Sequence, residues 1–230
     1  MKSKSNALAP LSRGSAAQAT RQLVLEAAEE LIRTEGLEAL SFREVSRRAG
    51  LSHQAPYHYF PDREAILAAL ANQGFALLAE KLREARRSRP TPLARLEACG
   101  NAYVDLALSR PAHFKLMFRP EMVKLDDFPD TAAFADSAFQ ELQATVREVL
   151  EAGHGVPEEE PVLTALCWSV VHGLAGLLLD GPLLYKLGRS GSGQLVPLVM
   201  AMMCGLVEGR TAGVRRGRTK GARGAAARTR

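Results

Sequence analysis

Between Leu51 and Glu64 the chain reads LSHQAPYHYFPDRE, with two histidines, three aromatic rings and two prolines in fourteen residues. Such a set could hold a metal, move protons or bind nucleic acid. Metal binding fits poorly. His53 and His58 are five residues apart, so on a helix turning ~100° per residue they lie about 140° apart around the axis. No Cys or carboxylate supplies the remaining ligands. A His–Tyr catalytic arrangement lacks a nucleophile elbow and an oxyanion loop, so no catalytic residue and no cofactor is expected. Nucleic acid fits better. Ser52, His53, Gln54, Tyr57 and His58 are donors and acceptors, and Arg43, Arg47, Arg48 and Arg63 bracket them. Only Glu44 and Asp62 oppose those four arginines between 41 and 63.

The elements that must position these groups read as helices. Leu23, Val24, Ala27, Ala28, Leu31 and Ile32 mark one face of a first helix, with Thr20 as its cap and Gly36 as its stop. SFRE at Ser41–Glu44 is a capping box that opens a second helix ending at Gly50. Ser52 is placed to cap a third, ending at Phe60-Pro61. Pro56 would sit in its first turn, where most N–H groups lack a helical partner anyway. Asp62 then caps a long fourth helix through Leu82. Two short helices joined by AGLS have the spacing of a helix-turn-helix, whose second helix enters the major groove. Spacing alone serves a generic helical hairpin equally well; the exposed polar side chains and arginines favour the former. Helix N-termini at Ser41, Ser52 and Asp62 would also offer N–H groups to phosphate.

The run LSFREVSRRAGLSHQAPYHYFPDREAILAAL, Leu40–Leu70, resembles the DNA-binding domain of TetR/AcrR-type transcriptional regulators. The matching features are the hydroxyl at Ser41, the RRAGLS turn, the YHYF end of the third helix, and PDREAIL opening the fourth. The resemblance implies that Ser41, Tyr57 and Arg63 contact phosphate, while Gln54, Ala55 and His58 face base edges. It further implies a homodimer on a double-stranded DNA operator, repressing transcription. The family commonly has Lys where Arg63 stands, and a small residue followed by Thr-Leu where Gln54-Ala55-Pro56 stand.

RRSRPTP, Arg86–Pro92, breaks the pattern. Beyond it come a helix from Pro92, a short aromatic helix PAHFKLMF (Pro111–Phe118), a polar loop, an amphipathic helix around Phe134–Leu150, and two largely apolar helices at 161–179 and 195–207. CWSVVHGLAGLLLDG, Cys167–Gly181, resembles the Trp-x-x-x-His-Gly signature of one regulatory-domain subtype. His172 is an imidazole in an apolar helix. It reads either as a core histidine satisfied by one hydrogen bond or as the polar anchor of a mostly apolar small-molecule pocket. Trp168 shares its face at i−4. Tyr103, Phe114, Met117, Phe118 and Phe134 sit on helices that could surround such a pocket.

The helix 161–179 is nearly long enough to span a bilayer, but Thr164, Ser169 and His172 argue for core on one side and a subunit partner on the other. The last helix would supply the other half of a four-helix dimer interface. Cys99, Cys167 and Cys204 are far apart in apolar contexts, which suits reduced thiols in the cytoplasm. Net charge is +5, yet both ends are basic. Setting aside the ten Lys and Arg of the first and last twenty residues leaves 20 bases against 25 acids.

The expected architecture is therefore all-α. It comprises a disordered basic arm (1–17), a three-helix DNA-binding domain (18–65), a helical ligand-binding and dimerisation domain (66–210) and a disordered basic tail (211–230). The fourth helix joins the two domains. The function expected of it is a cytoplasmic, ligand-responsive regulator released from its operator by a small apolar effector. A dimer whose C-terminal bundle is purely structural is the alternative.

Overall fold

The structure is a computed structural model; it describes residues 13–119, 121–124, 127–187 and 194–209. Those residues form nine α-helices and no strand. Helix α1 is Arg13–Glu35, α2 Phe42–Ala49, α3 Arg63–Arg87, α4 Pro92–Ser109, α5 Pro111–Met117, α6 Pro129–Glu151, α7 Glu160–Leu179 and α8 Pro182–Leu187. Helix α9 is Gln194–Gly209.

The punctuation of the chain is local chemistry. Gly36 stops α1 with φ 88°, a left-handed conformation that glycine adopts without Cβ strain. Gly50 ends α2 at φ 67°. The side chains of Ser41, Asp62 and Thr91 accept from the N–H groups of Glu44, Ala65 and Ala94, capping α2, α3 and α4. The SFRE box is only half formed, because the Glu44 carboxylate turns to Arg47 instead of back to the cap.

Two expectations are corrected. Thr20 is not a cap: α1 begins at Arg13, so 13–17 of the expected arm is helical, and the Thr20 hydroxyl donates back to the Ala16 carbonyl. Serine and threonine can bond inside a helix as well as at its start, and an Ala-rich lead-in favours the longer helix. Residues 1–12 and the tail 211–230 lie outside the described residues.

The second correction concerns the third helix. Ser52 caps no α-helix; the segment is a turn leading into a 3₁₀ helix at Pro56–His58. Proline has no N–H to return to the Ser52 carbonyl. That carbonyl accepts instead from Ala55 N–H at 3.0 Å, three residues on. His58 to Ala55 (3.2 Å) and Tyr59 to Pro56 (3.0 Å) continue the tighter three-residue coil. The path remains a right-handed coil after a tight turn, so the helix-turn-helix topology survives with a different second helix.

Apolar side chains separate into two cores. The first holds Val24, Leu31, Phe42, Val45, Phe60 and the start of α3, from Ile66 to Ala71. The second begins at Phe75 of the same helix and gathers α4, α5, α6, α7 and α9. The division therefore falls inside α3, past residue 65, and the first turns of α3 belong to the N-terminal unit. Leu116 of α5 and Val123 beyond it are buried in the first core, whereas Phe114 and Met117 are buried in the second.

Helices α3 and α7 are both long and apolar enough to cross a membrane by composition. In α3 most of that surface is core. Helix α7 divides into two arcs. Leu163, Cys167, Val171, Leu174 and Leu178 are buried, while Val162, Leu166 and Leu177 are exposed at 66%, 44% and 47%. Leu198, Met202 and Leu206 of α9 form a second exposed apolar stripe.

Candidate DNA-binding face and ligand cavity

Ser52, His53, Gln54, Tyr57 and His58 are all exposed; Ala55 is half-buried and Pro56 buried. The 3₁₀ turn thus presents this polar set outward while Pro56 and Phe60 hold it to the core. The Tyr57 ring packs edge-on to Phe42 at 4.3 Å between centroids. This fixes the ring beside the start of α2 and leaves Tyr57 57% exposed. Arg43, in the first turn of α2, is exposed as well.

The arginines are less available than their number suggests. Arg47 pairs with Glu44, and Arg48 with Glu35 and Thr34. Arg63 donates from its guanidinium to the Leu37 carbonyl at 2.7 Å, tying the start of α3 to the turn after α1.

In the second core, a cavity of about 310 Å³ lies among α3, α4, α5, α6, α7 and α9. Of the seven expected pocket residues, Tyr103, Met117, Phe118 and Trp168 line it. Phe134, Phe114 and His172 do not. Phe134 points to solvent, 40% exposed. The face α6 gives the cavity is Ala135, Asp136, Ala138, Phe139 and Leu142, and Phe134 lies at the edge of that arc, ~100° around the axis from Ala135 and ~140° from Phe139. Phe114 and His172 form a layer behind the wall. The Phe114 ring lies 5.6 Å from Tyr103 and 5.4 Å from the imidazole.

That layer is hydrogen-bonded. Tyr103 Oη is 2.8 Å from His172 Nδ1, and Trp168 Nε1 donates to the same oxygen at 3.4 Å. Indole nitrogen can only donate. The direction of the Tyr103–His172 bond follows the histidine tautomer: with the imidazole proton on Nε2 the phenol donates to Nδ1, and with it on Nδ1 the phenol oxygen accepts. Both readings of His172 contain part of the outcome: it is satisfied by one hydrogen bond, and that bond orients a group in the cavity wall. Burial holds His172 below the ordinary histidine value and pushes the Tyr103 phenol up. The three free cysteines are all buried. Burial raises Cys99 and Cys204 to about 11 and Cys167 to about 12. The thiols are held protonated and unreactive.

Two polar assemblies escape sequence reasoning. Arg83, Arg86 and Arg95 alternate with Glu141 and Glu148 at 2.9–3.1 Å, strapping α6 to α3 and α4 beside the cavity. Glu29 of α1 meets Arg110 at 3.1 Å and approaches Nδ1 of the buried His113, at the start of α5, at 3.1 Å. The histidine contact is a close approach of charge rather than a well-formed hydrogen bond. Burial pushes His113 down, and Glu29 opposes this. Partners so far apart along the chain leave no local signal in sequence. The cavity-facing Ala135, Ala138, Phe139 and Leu142 could have been found from their 3–4 spacing.

Comparison with known proteins decides the family. Residues 24–70 match the model of bacterial regulatory proteins of the tetR family, and residues 96–212 match a tetracyclin repressor-like C-terminal domain. The chain belongs to the TetR family. YobS of Bacillus subtilis, an HTH-type transcriptional regulator, is 24% identical over 180 residues, covering 70% of this chain and 94% of the relative. A Rhodococcus sp. RHA1 protein of unknown function superposes with a TM-score of 0.70 at 25% identity, over 90% of this chain and 100% of its own. PfmR of Thermus thermophilus, a TetR-family transcriptional regulator, gives a TM-score of 0.62 at 22% identity, over 80% and 96%. This TetR-family chain is thus a transcriptional regulator with a DNA-binding helix-turn-helix, and its helical C-terminal domain encloses the cavity.

Proposed function

We propose that this regulator is a cytoplasmic repressor that binds a pseudo-palindromic operator as a homodimer and is released by a small, largely apolar effector. The observation that carries this reading is the double membership of α5. Met117 and Phe118, at its end, line the cavity. Leu116, next to Met117, is buried in the DNA-binding core, and Glu29 of α1 meets both Arg110 and His113 at the helix start. A ligand that moves Met117 therefore moves α5 against both cores. The shift in DNA affinity is limited by the ligand's preference for one placement of α5 over the other.

The exposed apolar stripes of α7 and α9 support the dimer. Val162, Leu166 and Leu177 together with Leu198, Met202 and Leu206 form a surface that water disfavours and a second copy would cover. Ser41, Arg43, Tyr57 and Arg63 would hold phosphate, with Ser52, His53, Gln54, Ala55 and His58 toward base edges. The Trp168-x-x-x-His172-Gly173 run supports placing the regulatory domain in the subtype bearing that signature. The cavity favours a ligand-responsive protein over a dimer with a purely structural bundle.

Sequencing DNA fragments selected by the purified protein tests the reading. The expected result is two inverted half-sites whose centres are one helical turn, about 34–36 Å, apart or a multiple of it. Fragments with a single half-site would contradict the dimeric arrangement.

A further inference from the structure

The cavity has an apolar inner end and a mouth with a different character. Leu78, Leu82 and Leu96 lie among its walls. The hydroxyl of the wall and one of its thiols are already engaged: the Tyr103 hydroxyl bonds His172 and Trp168, and the Cys99 thiol donates to the Leu82 carbonyl at 3.4 Å. A polar ligand group buried at that depth would lose its hydration without a partner. The ligand's polar part must therefore stay at the mouth.

At the mouth stand Asp136, Phe139 and Trp168. Asp136 is exposed, Phe139 is 37% exposed and Trp168 39%. Asp136 and Phe139 are three residues apart on α6, on one helix face. The Phe139 and Trp168 rings are 5.6 Å apart, and Phe118 lies 6.2 Å from Trp168. Aromatic faces attract cations, and Asp136 is the one charged side chain lining the cavity among the described residues.

We infer that the effector is an amphiphilic cation, with an apolar body in the cavity and an ammonium-type head held at the mouth by Asp136 and the rings of Phe139 and Trp168. This rests on the proposed ligand response and deepens it by naming the ligand class. A carboxylate-headed chain of the same length is disfavoured, because its charge would meet that of Asp136.

The test uses three probes of equal chain length: decyltrimethylammonium, decanol and decanoate, each below its aggregation concentration. Trp168 is the chain's single tryptophan, so its fluorescence reports occupancy of the mouth in the full-length protein. The expected order is cation, then alcohol, then carboxylate, with the cation roughly tenfold tighter than the alcohol, the combined scale of a partly exposed cation–π contact and one exposed ion pair. Asp136→Asn should reduce the cation's advantage over the alcohol to the few-fold left by the aromatic rings and leave the alcohol unchanged. Phe139→Ala should weaken the cation more than the alcohol. Equal binding of cation and alcohol, or tightest binding of decanoate, overturns the cationic class and leaves the ligand-responsive reading standing. If none of the three alters Trp168 emission or melting temperature, the cationic class falls. If a broad library of neutral apolar compounds also leaves both unmoved, the ligand response falls with it.

Discussion

Tyr103 Oη and His172 Nδ1 lie 2.8 Å apart, joining α4 to α7 directly behind the cavity wall. Tyr103 lines the cavity and His172 fixes its orientation, so one hydrogen bond sets the shape of the cavity's polar wall. Tyr103→Phe leaves the imidazole nitrogen and the Trp168 N–H without their partner. It should lower stability by about 1–2 kcal/mol, the scale of a buried hydrogen bond lost with one partner left behind. Urea denaturation checks the loss, and a shift in Trp168 emission checks that the indole has been released.

Stability should fall on mild acidification. Burial lowers both His113 and His172 from the ordinary value of 6.5. The folded state thus favours their neutral forms, and their stabilising contribution is fully present above the unfolded value. It is lost as pH drops below about 6.5 toward the folded values. Unfolding free energies measured at pH 8, 6.5 and 5.5 should decrease in that order. His172→Gln should lessen the decrease between pH 6.5 and 5.5.

The exposed face of the 3₁₀ turn gives a specificity test. Tyr57→Phe should weaken binding to matched and scrambled DNA alike, since a phosphate contact carries no sequence information. Gln54→Ala should cost about 1–3 kcal/mol on the matched site only and relax preference at one position. Gel shifts on both DNAs separate the two; equal losses for Gln54→Ala would refute its base-reading role.

Much of the fold is legible in sequence, for identifiable reasons. Helices α3 and α6 are readable because local propensity, apolar period and caps such as Asp62 agree. The second helix of the helix-turn-helix departs from its sequence pattern because one residue, Pro56, withdraws the donor that an α-helix needs at that point. Thr20 imitates a cap, yet its hydroxyl bonds back to Ala16 from inside the helix. On α6, Phe134 sits at the edge of the cavity-facing arc, ~100° around the axis from Ala135 and ~140° from Phe139, so an aromatic ring on the right helix is left 40% exposed outside the cavity. The Glu29 contacts with Arg110 and His113 carry no sequence signal, since only tertiary folding brings α1 to α5.

Glu29 offers a way to separate binding from response. Glu29→Ala removes both contacts to the start of α5. The effect on DNA affinity without ligand should be small, because Glu29 makes its ion-pair contacts with Arg110 and His113 at the α1–α5 contact rather than with Gln54 or Tyr57. The ligand-induced loss of DNA affinity should shrink severalfold, within the usual scale of about 1–3 kcal/mol for coupling between sites. Anisotropy titrations with and without ligand measure both quantities.

If occupancy of the cavity controls DNA binding, the coupling between the two sites must be reciprocal. A compound that saturates the change in Trp168 emission should weaken operator binding by some factor. The operator should weaken that compound's binding by the same factor. Matching factors well above one, measured by operator anisotropy and Trp168 fluorescence on one preparation, are the predicted result. An operator affinity that stays constant while the cavity fills would contradict the account.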